Sequence, residues 1–485
     1  MEKDNEKNKR RMKLIACIAI FALGCILPGA GAITKDGMVV LGGFIAMVFA
    51  WVSGVEAWFP LALLLIYSQI SGLNFTSDLV PEVFGNYMVW FILFCFWYMD
   101  GMQRSGLLDY LTYKLLGTKM AKRGPFWLMF LFLITAWVVS AVTQAIGAVI
   151  ILMLGILKSV SNNLKLEPYN KWTVSVGVSM AVVCCVGNVM MPFNMTFHMY
   201  GGLVGGAFGW VNDLNMGIYT LQQLIAGIVL IILCLLVTKF LIRPRVDFSA
   251  LNNLEIESES GAIKFNKTMS GALLTIVVLV IVVSIPSLVP QESIVYKIFN
   301  LIGISGAFAI SCIILAFTKD SNGESLVNFA DKLQKSTNWS MIIYLAVIFY
   351  IGNLMSDAGT GISEQIAVIC KPLGALSPII LISLLGLICV LVTNVANNFV
   401  TCMILAPIGY AVLGFDSVYS DLMTVMVIVC SYIAVALPTA SFGGIALSMQ
   451  KDMLKSGQIL RYGYLFSVLG FIGQWIGLLI CQGMY

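Results

Sequence analysis

Apolar runs of about 20 residues, the length a helix needs to cross a ~30 Å hydrocarbon core, recur from Leu14 to the end of the chain. They cover residues 14–30, 38–53, 57–71, 86–102, 126–160, 172–191 and 219–242, then 269–289, 296–317, 339–355, 374–391, 398–415, 420–437 and 459–482. Charged side chains make up only 11 % of the 485 residues, against roughly 25 % in a soluble domain. A cytosolic globular enzyme and a disordered chain are both excluded. The expected fold is an all-α polytopic membrane protein with about 11 transmembrane spans.

The first 13 residues hold six Lys/Arg against three Asp/Glu. A secretory signal can begin this way, but the stretch after Gly29 runs into a second span without a cleavage pattern. Residues 14–30 therefore read as a retained span with the N-terminus in the cytoplasm, and the expected location is the plasma membrane (cell inner membrane). The net charge of +4 implies no nucleic-acid partner, because the cations lie in short segments between apolar runs. The lipid bilayer is the expected partner. The twelve cysteines are scattered through apolar runs and His198 is the one histidine, so no zinc-type metal site or other cofactor is expected.

The polar stretch 243–267 divides the chain as a cytoplasmic linker. It separates N-terminal scaffold spans (1–85) and a first repeat (86–242) from further scaffold spans (268–337) and a second repeat with a C-terminal span (338–485). Asn86 opens NYMVWFILFCFWYMDGMQRSGLLDYL and Asn338 opens NWSMIIYLAVIFYIGNLMSDAGTGISEQI. An ungapped slide of 252 positions lays Asn86 on Asn338, Tyr98 on Tyr350 and Gly155 on Pro407. Duplication with a broken span in each copy is the mark of a secondary transporter built from internal repeats. Lys114, Lys119, Lys122 and Arg123 crowd the turn of the first copy, whereas Lys371 stands alone in the second. By the positive-inside bias the copies are inverted.

The 126–160 run is too long for one crossing and is interrupted at 140–144, so two shorter helices or a helix broken in mid-membrane are expected there. Segment 105–124 alternates apolar and charged positions, which suits a re-entrant hairpin or a helix on the membrane surface. In LICVLVTNVANNFVTCMILAP (387–407), Thr393, Asn394, Asn397, Asn398 and Thr401 interrupt a lipid-compatible run. Unpaired polar groups in hydrocarbon are costly, and the oxygens of Asn and Thr suit a sodium ion or a carboxylate. Ser140, Thr143 and Gln144 are the weaker counterpart in the first copy. Two further breaks follow, one around Gly187, Asn188, Pro192 and Asn194 and one around Pro438, Thr439, Ser441, Gly443 and Gly444. Glu56, Asp100 and Asp357 stand closest to membrane depth among the carboxylates.

This pattern resembles the divalent anion:sodium symporter family, the dicarboxylate, citrate and sulfate carriers of the ion-transporter superfamily. The likeness runs from about Val39 onward. Trp51 to Pro60 echo the family's W-x-x-E-A-x-P pattern through Glu56 and Ala57, and Ser105, Gly106 and Leu107 match its S-G-L. The second Ser-Asn-Thr signature corresponds to Asn397, Asn398 and Phe399 with Pro407, its threonine being replaced by Phe399. The first signature is absent, its place taken by Ala145, Ile146 and Gly147 or, with a shift, by Thr143, Gln144 and Ala145. Ala440 to Gly444 fall on the late A-T-P-P-N pattern, and Met191 to Asn194 on T-P-P-N. The resemblance implies sodium ligation by Thr393, Ala396, Asn397, Asn398 and Ala440. A substrate site would be lined by Ser140, Thr143, Gln144, Asn194, Asn397, Asn398 and Ser441. It also implies a homodimer in which a transport part, 105–200 and 358–450, moves like an elevator against a scaffold.

The leading expectation is sodium-coupled uptake of a small organic dianion such as a di- or tricarboxylate. The alternatives are a proton-coupled or exporting carrier of another anion, or a transport-inactive homologue. An enzyme is not expected, since no paired acids, metal cluster or activated nucleophile is present with suitable spacing.

Overall fold

The computed structural model describes residues 2–53, 55, 58–72, 75–208, 214–244, 264–328, 337–396, 398–415, 417–438 and 440–485. Glu56, Ala57, Asn397, Thr439 and most of the 243–267 linker lie outside them. The described residues form twenty α-helices and no strand beyond two isolated bridges. Seven helices are long and apolar enough to cross a membrane, or nine if two bent pairs each count as one span. The remaining apolar helices, among them Trp58–Ile70, Asn398–Leu413 and Val418–Ser431, are shorter. Two of these belong to a hairpin and a broken span.

Four helices lead in: α1 (Glu2–Ile26), α2 (Lys35–Ser53), α3 (Trp58–Ile70) and α4 (Val80–Phe84). The first copy follows as α5 (Tyr87–Arg104), α6 (Leu107–Leu116), a 3-10 turn Lys119–Arg123, α7 (Pro125–Thr143), α8 (Ile146–Asn163), α9 (Lys171–Asn188), α10 (Met195–Phe208) and α11 (Met216–Leu236). After α12 (Lys267–Ser284) and α13 (Ile294–Phe317), the same succession returns. It comprises α14 (Trp339–Ser356), α15 (Ile362–Cys370), a 3-10 turn Lys371–Ala375, α16 (Pro378–Thr393), α17 (Asn398–Leu413), α18 (Val418–Ser431), α19 (Phe442–Met449) and α20 (Ser456–Cys481).

The local sequence devices repeat with the elements. Asn86 caps α5 through the Met88 N–H, and Asn338 caps α14 through the Met341 N–H, each satisfying a donor that the helix start leaves free. Gly106 and Gly361, at φ 73° and 67°, make the left-handed turns into α6 and α15, a conformation that side chains disfavour. Pro125 and Pro378 open α7 and α16, where the missing N–H costs nothing.

The closing helices of the two copies, α11 and α20, pack along most of their lengths. Gln474 Nε2 bonds Gln223 Oε1 at 2.8 Å and the Tyr485 hydroxyl bonds Gln222 Oε1 at 2.8 Å. Gly473 abuts the Ala226 carbonyl and Gly477 the Gln222 carbonyl. Positions advance along α20 as they retreat along α11, so these equivalent helices are antiparallel and the repeats are inverted. The lead-in helices are exchanged between copies. The α1–α2 loop grips the second copy through Thr34 N–H to Thr360 O and Ala32 N–H to Gln365 Oε1. In turn α13 lies on α5 through Cys312 to Phe94 O, and Arg104 reaches Ser325 O beyond it.

Both re-entrant hairpins are visible in their contacts. Trp172, at the start of α9, donates its indole N–H to Pro125 O at the start of α7. The neighbouring Thr173 hydroxyl meets Ser161 near the end of α8, at 3.1 Å. The α7–α8 pair therefore returns to the side it left, and its tip lies at residues 144–145. In the second copy Cys389 meets Val427 O on α18 and Tyr410 meets Thr424 at 2.5 Å, which folds α17 back along α16. The 105–124 segment is not a hairpin: α6 and its 3-10 turn lead into the one formed by α7 and α8. The matching helix α15 with its turn bends 115° into α16.

Candidate functional site

Each hairpin tip reaches the break in the following span. In the first copy α7 ends at Gln144, held at φ 57°, a left-handed conformation that costs a non-glycine residue about 1–3 kcal/mol. Its amide compensates: Nε2 donates to Ala141 O at 2.6 Å, and Oε1 accepts the Met195 N–H that opens α10 at 3.2 Å. Ser140 donates to Cys184 O at 2.9 Å on α9, and Thr143 bonds back to Val139 O at 2.7 Å. Asn194 caps α10 through the Phe197 N–H at 2.6 Å while its Nδ2 closes the break onto Val189 O and Met191 O. His198 completes the turn on Pro192 O, with its ring edge-on to Phe91 and Phe197. The polar atoms of all four expected residues of this half thus go largely to backbone within their own copy.

The second tip is longer. Residues 394–397 separate α16 from α17, against Gln144 and Ala145 alone in the first copy. The slide of 252 therefore holds for Asn86 on Asn338 and for Ile146 on Asn398, but shrinks to 250 where Thr143 meets Thr393. An ungapped slide cannot register a two-residue insertion in a loop. The true counterpart of Gln144 is Asn394, the first residue beyond its helix. Asn394 Oδ1 accepts from both Val435 N and Ala436 N at 2.9 Å, and Nδ2 donates to Val390 O and Ile433 O. Ser441 ties the same break from its far end. Its hydroxyl bonds Ala434 O and caps α19 through the Gly443 and Gly444 N–H groups.

Thr393 and Asn398 come together across this tip. Thr393 Oγ1 lies 3.1 Å from Asn398 Oδ1 and 2.5 Å from Ser431 O. A hydroxyl carries one proton, so it satisfies one of these two acceptors and leaves an oxygen-rich gap between the ends of α16, α17 and α18. Ala440 is buried beside Ser441, with its N–H on Leu437 O. The Ala396 N–H returns to Val392 O. Neither alanine carries a side-chain oxygen, so any part they take in holding an ion is through backbone.

The halves are joined by residues that sequence reasoning did not select. Tyr200 on α10 brings its hydroxyl beside the Asn398 side chain and stacks on Phe399, with ring centroids 4.3 Å apart. Tyr432, at the second break, sits edge-on to Tyr200 with its hydroxyl beside Thr196. Thr196 in turn donates to Asn188 Oδ1 at 2.8 Å. The Asn188 Nδ2 group is buried and unpaired. The sequence signal was faint: polar and aromatic side chains placed just before and after each break. The carboxylates lie elsewhere. Asp100 pairs with Arg104 at 2.9 Å, Asp357 caps the Gly359 N–H at 2.7 Å, and Glu56 lies outside the described residues. Among the described residues no cluster of His, Cys, Asp and Glu forms a metal site.

Residues 33–430 match the model of the citrate transporter family. The chain belongs to that family. It is a membrane transporter, and its fold agrees. The crystal structure of the YdaH transporter of Alcanivorax borkumensis superposes with a TM-score of 0.58 at 15 % identity, over 84 % of this chain and 88 % of that one. MtrF of Neisseria gonorrhoeae, described as one of a class of antimetabolite efflux pumps, gives 0.57 at 14 % identity, over 96 % and 97 %. No curated protein sequence matches the chain.

Proposed function

We propose that this transporter couples entry of a sodium ion to uptake of a small organic anion of the di- or tricarboxylate kind, with the ion seated at the tip of the second hairpin. The observation that carries this reading is the crowding of Thr393 Oγ1, Asn398 Oδ1 and Ser431 O around a single hydroxyl proton. A desolvated monovalent cation satisfies what that proton cannot. The anion is drawn by the N-terminal ends of α8, α10, α17 and α19, which open at the tips and breaks and carry partial positive charge. The unpaired Asn188 amide adds a donor. Ser140, Thr143, Gln144, Asn194 and Ser441 shape this site as positioning residues. One ion is expected at the second tip, since the first tip offers no comparable set of oxygens.

The working unit is a homodimer in the plasma membrane with its N-terminus in the cytoplasm, the hairpins and broken spans travelling past the scaffold. Cysteines placed at Lys122 and Lys371 then label from opposite sides; labelling from one side contradicts that arrangement. Citrate and smaller dicarboxylates, assayed in proteoliposomes in both directions because MtrF is described as an efflux pump, test the substrate class. Sodium-driven accumulation supports the reading. Accumulation driven only by a pH gradient replaces it with a proton-coupled carrier.

A further inference from the structure

Outside the candidate site, the α11–α20 seam holds a buried polar cluster without a stated role. Gln222, Gln223 and Gln474 are fully buried, yet three of their polar atoms have no partner: the Nε2 groups of Gln222 and Gln223 and the Oε1 of Gln474. Gly473 meets the Ala226 carbonyl and Gly477 the Gln222 carbonyl on the equivalent, antiparallel closing helices, so the cluster lies on the seam between the inverted repeats, whose pseudo-two-fold axis is in the plane of the membrane. One turn along α11, Gly227 lies against the Trp137 indole, and the Trp137 Nε1 is also buried and unpaired. On the other side of Gln222, Tyr219 bonds Val189 O at 2.6 Å and receives Asn194 Nδ2 at 3.3 Å. The helix α11 thus carries both the seam glutamines and a tie to the first break.

We propose that Gln222, Gln223 and Gln474 enclose a water-binding site on the seam between the repeats, within reach of Trp137 and Tyr219. The atom inventory selects the ligand. Unpaired amide N–H groups repel a bare cation, and the unpaired carbonyl oxygen together with the absence of a positive charge in the cluster disfavours an anion. Water accepts from the two amides and donates to the third. A polar site with two or more partners is the kind that holds buried water. The seam is accordingly a hydrated joint between the two halves, linked through Tyr219 and Asn194 to the break that the first hairpin tip touches.

Radiolytic hydroxyl labelling of the full-length protein in nanodiscs, read residue by residue by mass spectrometry, tests this. Hydroxyl radicals made from a bound water modify adjacent rings. Trp137 and Tyr219 are expected to label several-fold faster than the dry, fully buried Phe132 and Phe466, and the double variant Gln223→Leu/Gln474→Leu is expected to lose that excess while Phe466 stays slow. Labelling of Trp137 and Tyr219 in the parent protein no faster than Phe466 overturns the proposal without recourse to any variant. So does excess labelling that survives unchanged in the double variant.

Discussion

The two hairpin tips share a backbone plan and differ in what their polar atoms are free to do. At the first, Gln144 spends both ends of its amide on Ala141 O and Met195 N, and Ser140 and Thr143 face helix carbonyls. At the second, two more residues let one amide do the structural task while another faces a gap. Asn394 ties the break, and the single Thr393 hydroxyl proton faces both Asn398 Oδ1 and Ser431 O. The hairpin persists in both copies, but the surplus of oxygens is found at one.

The largest break in this comparison is expected from Asn394→Ala. It strands two carbonyls and two N–H groups in a fully buried place, at about 1–3 kcal/mol for each group left unsatisfied, and thermal unfolding in detergent should show a loss of several kcal/mol or failure to fold. Asn394→Asp sharpens the reading: it keeps acceptors for Val435 N and Ala436 N but sets a buried carboxyl oxygen against Val390 O and Ile433 O, so it is expected to be destabilised as well. Asn398→Ala or Thr393→Val comes next. Either should leave the fold in place and lower apparent sodium affinity by roughly tenfold or more, as loss of about 1.4 kcal/mol implies, measured from the sodium dependence of initial uptake rate. Gln144→Ala should cost about 1–2 kcal/mol of stability and leave the sodium dependence of transport unchanged; a shift as large as that of Asn398→Ala would erase the distinction between the tips.

The smallest effect belongs to the rim of the first hairpin, where Lys158 pairs with Asp452 at 2.5 Å. The lysine hydrogen bond holds the Asp452 carboxyl below its ordinary value. A depressed carboxylate contributes stability above its unfolded pKa, near about 4, and loses it as pH falls through the lower folded value. Because the pair is about half exposed, Asp452→Asn should shift the melting temperature little, and the difference from the parent should vanish under acid conditions or high salt.

The fold was largely legible in the chain because inverted repeats leave several signals. The Asn86 and Asn338 caps, the glycines at 106 and 361 and the prolines at 125 and 378 recur in the same order, and the crowded cations at 114–123 give the inversion. Thr393 and Asn398 were legible as a pair because polar residues stand out in an apolar run. Asn394 appeared as one more member of that run. Its structural role depends on a break some 40 residues away, and no local pattern encodes that contact. Tyr200, Thr196 and Tyr432 escaped notice for the same reason: aromatics are common in apolar helices, and only the packing of α10 onto the second hairpin gives them a place at the site. Gln223 of α11 and Gln474 of α20 stand 251 residues apart in the chain, and only the antiparallel seam pairs them.

The central claim is that the second tip, and not the first, holds a coupling cation. Proteoliposomes loaded to impose sodium and proton gradients separately, each then collapsed alone, test it most directly, with uptake of a labelled di- or tricarboxylate as the readout. The account predicts that collapse of the sodium gradient abolishes accumulation, that the pH gradient is dispensable, and that Asn398→Ala moves the sodium dependence while Gln144→Ala does not. Accumulation unchanged when sodium is replaced by a large organic cation, and lost when the pH gradient is collapsed, would contradict it.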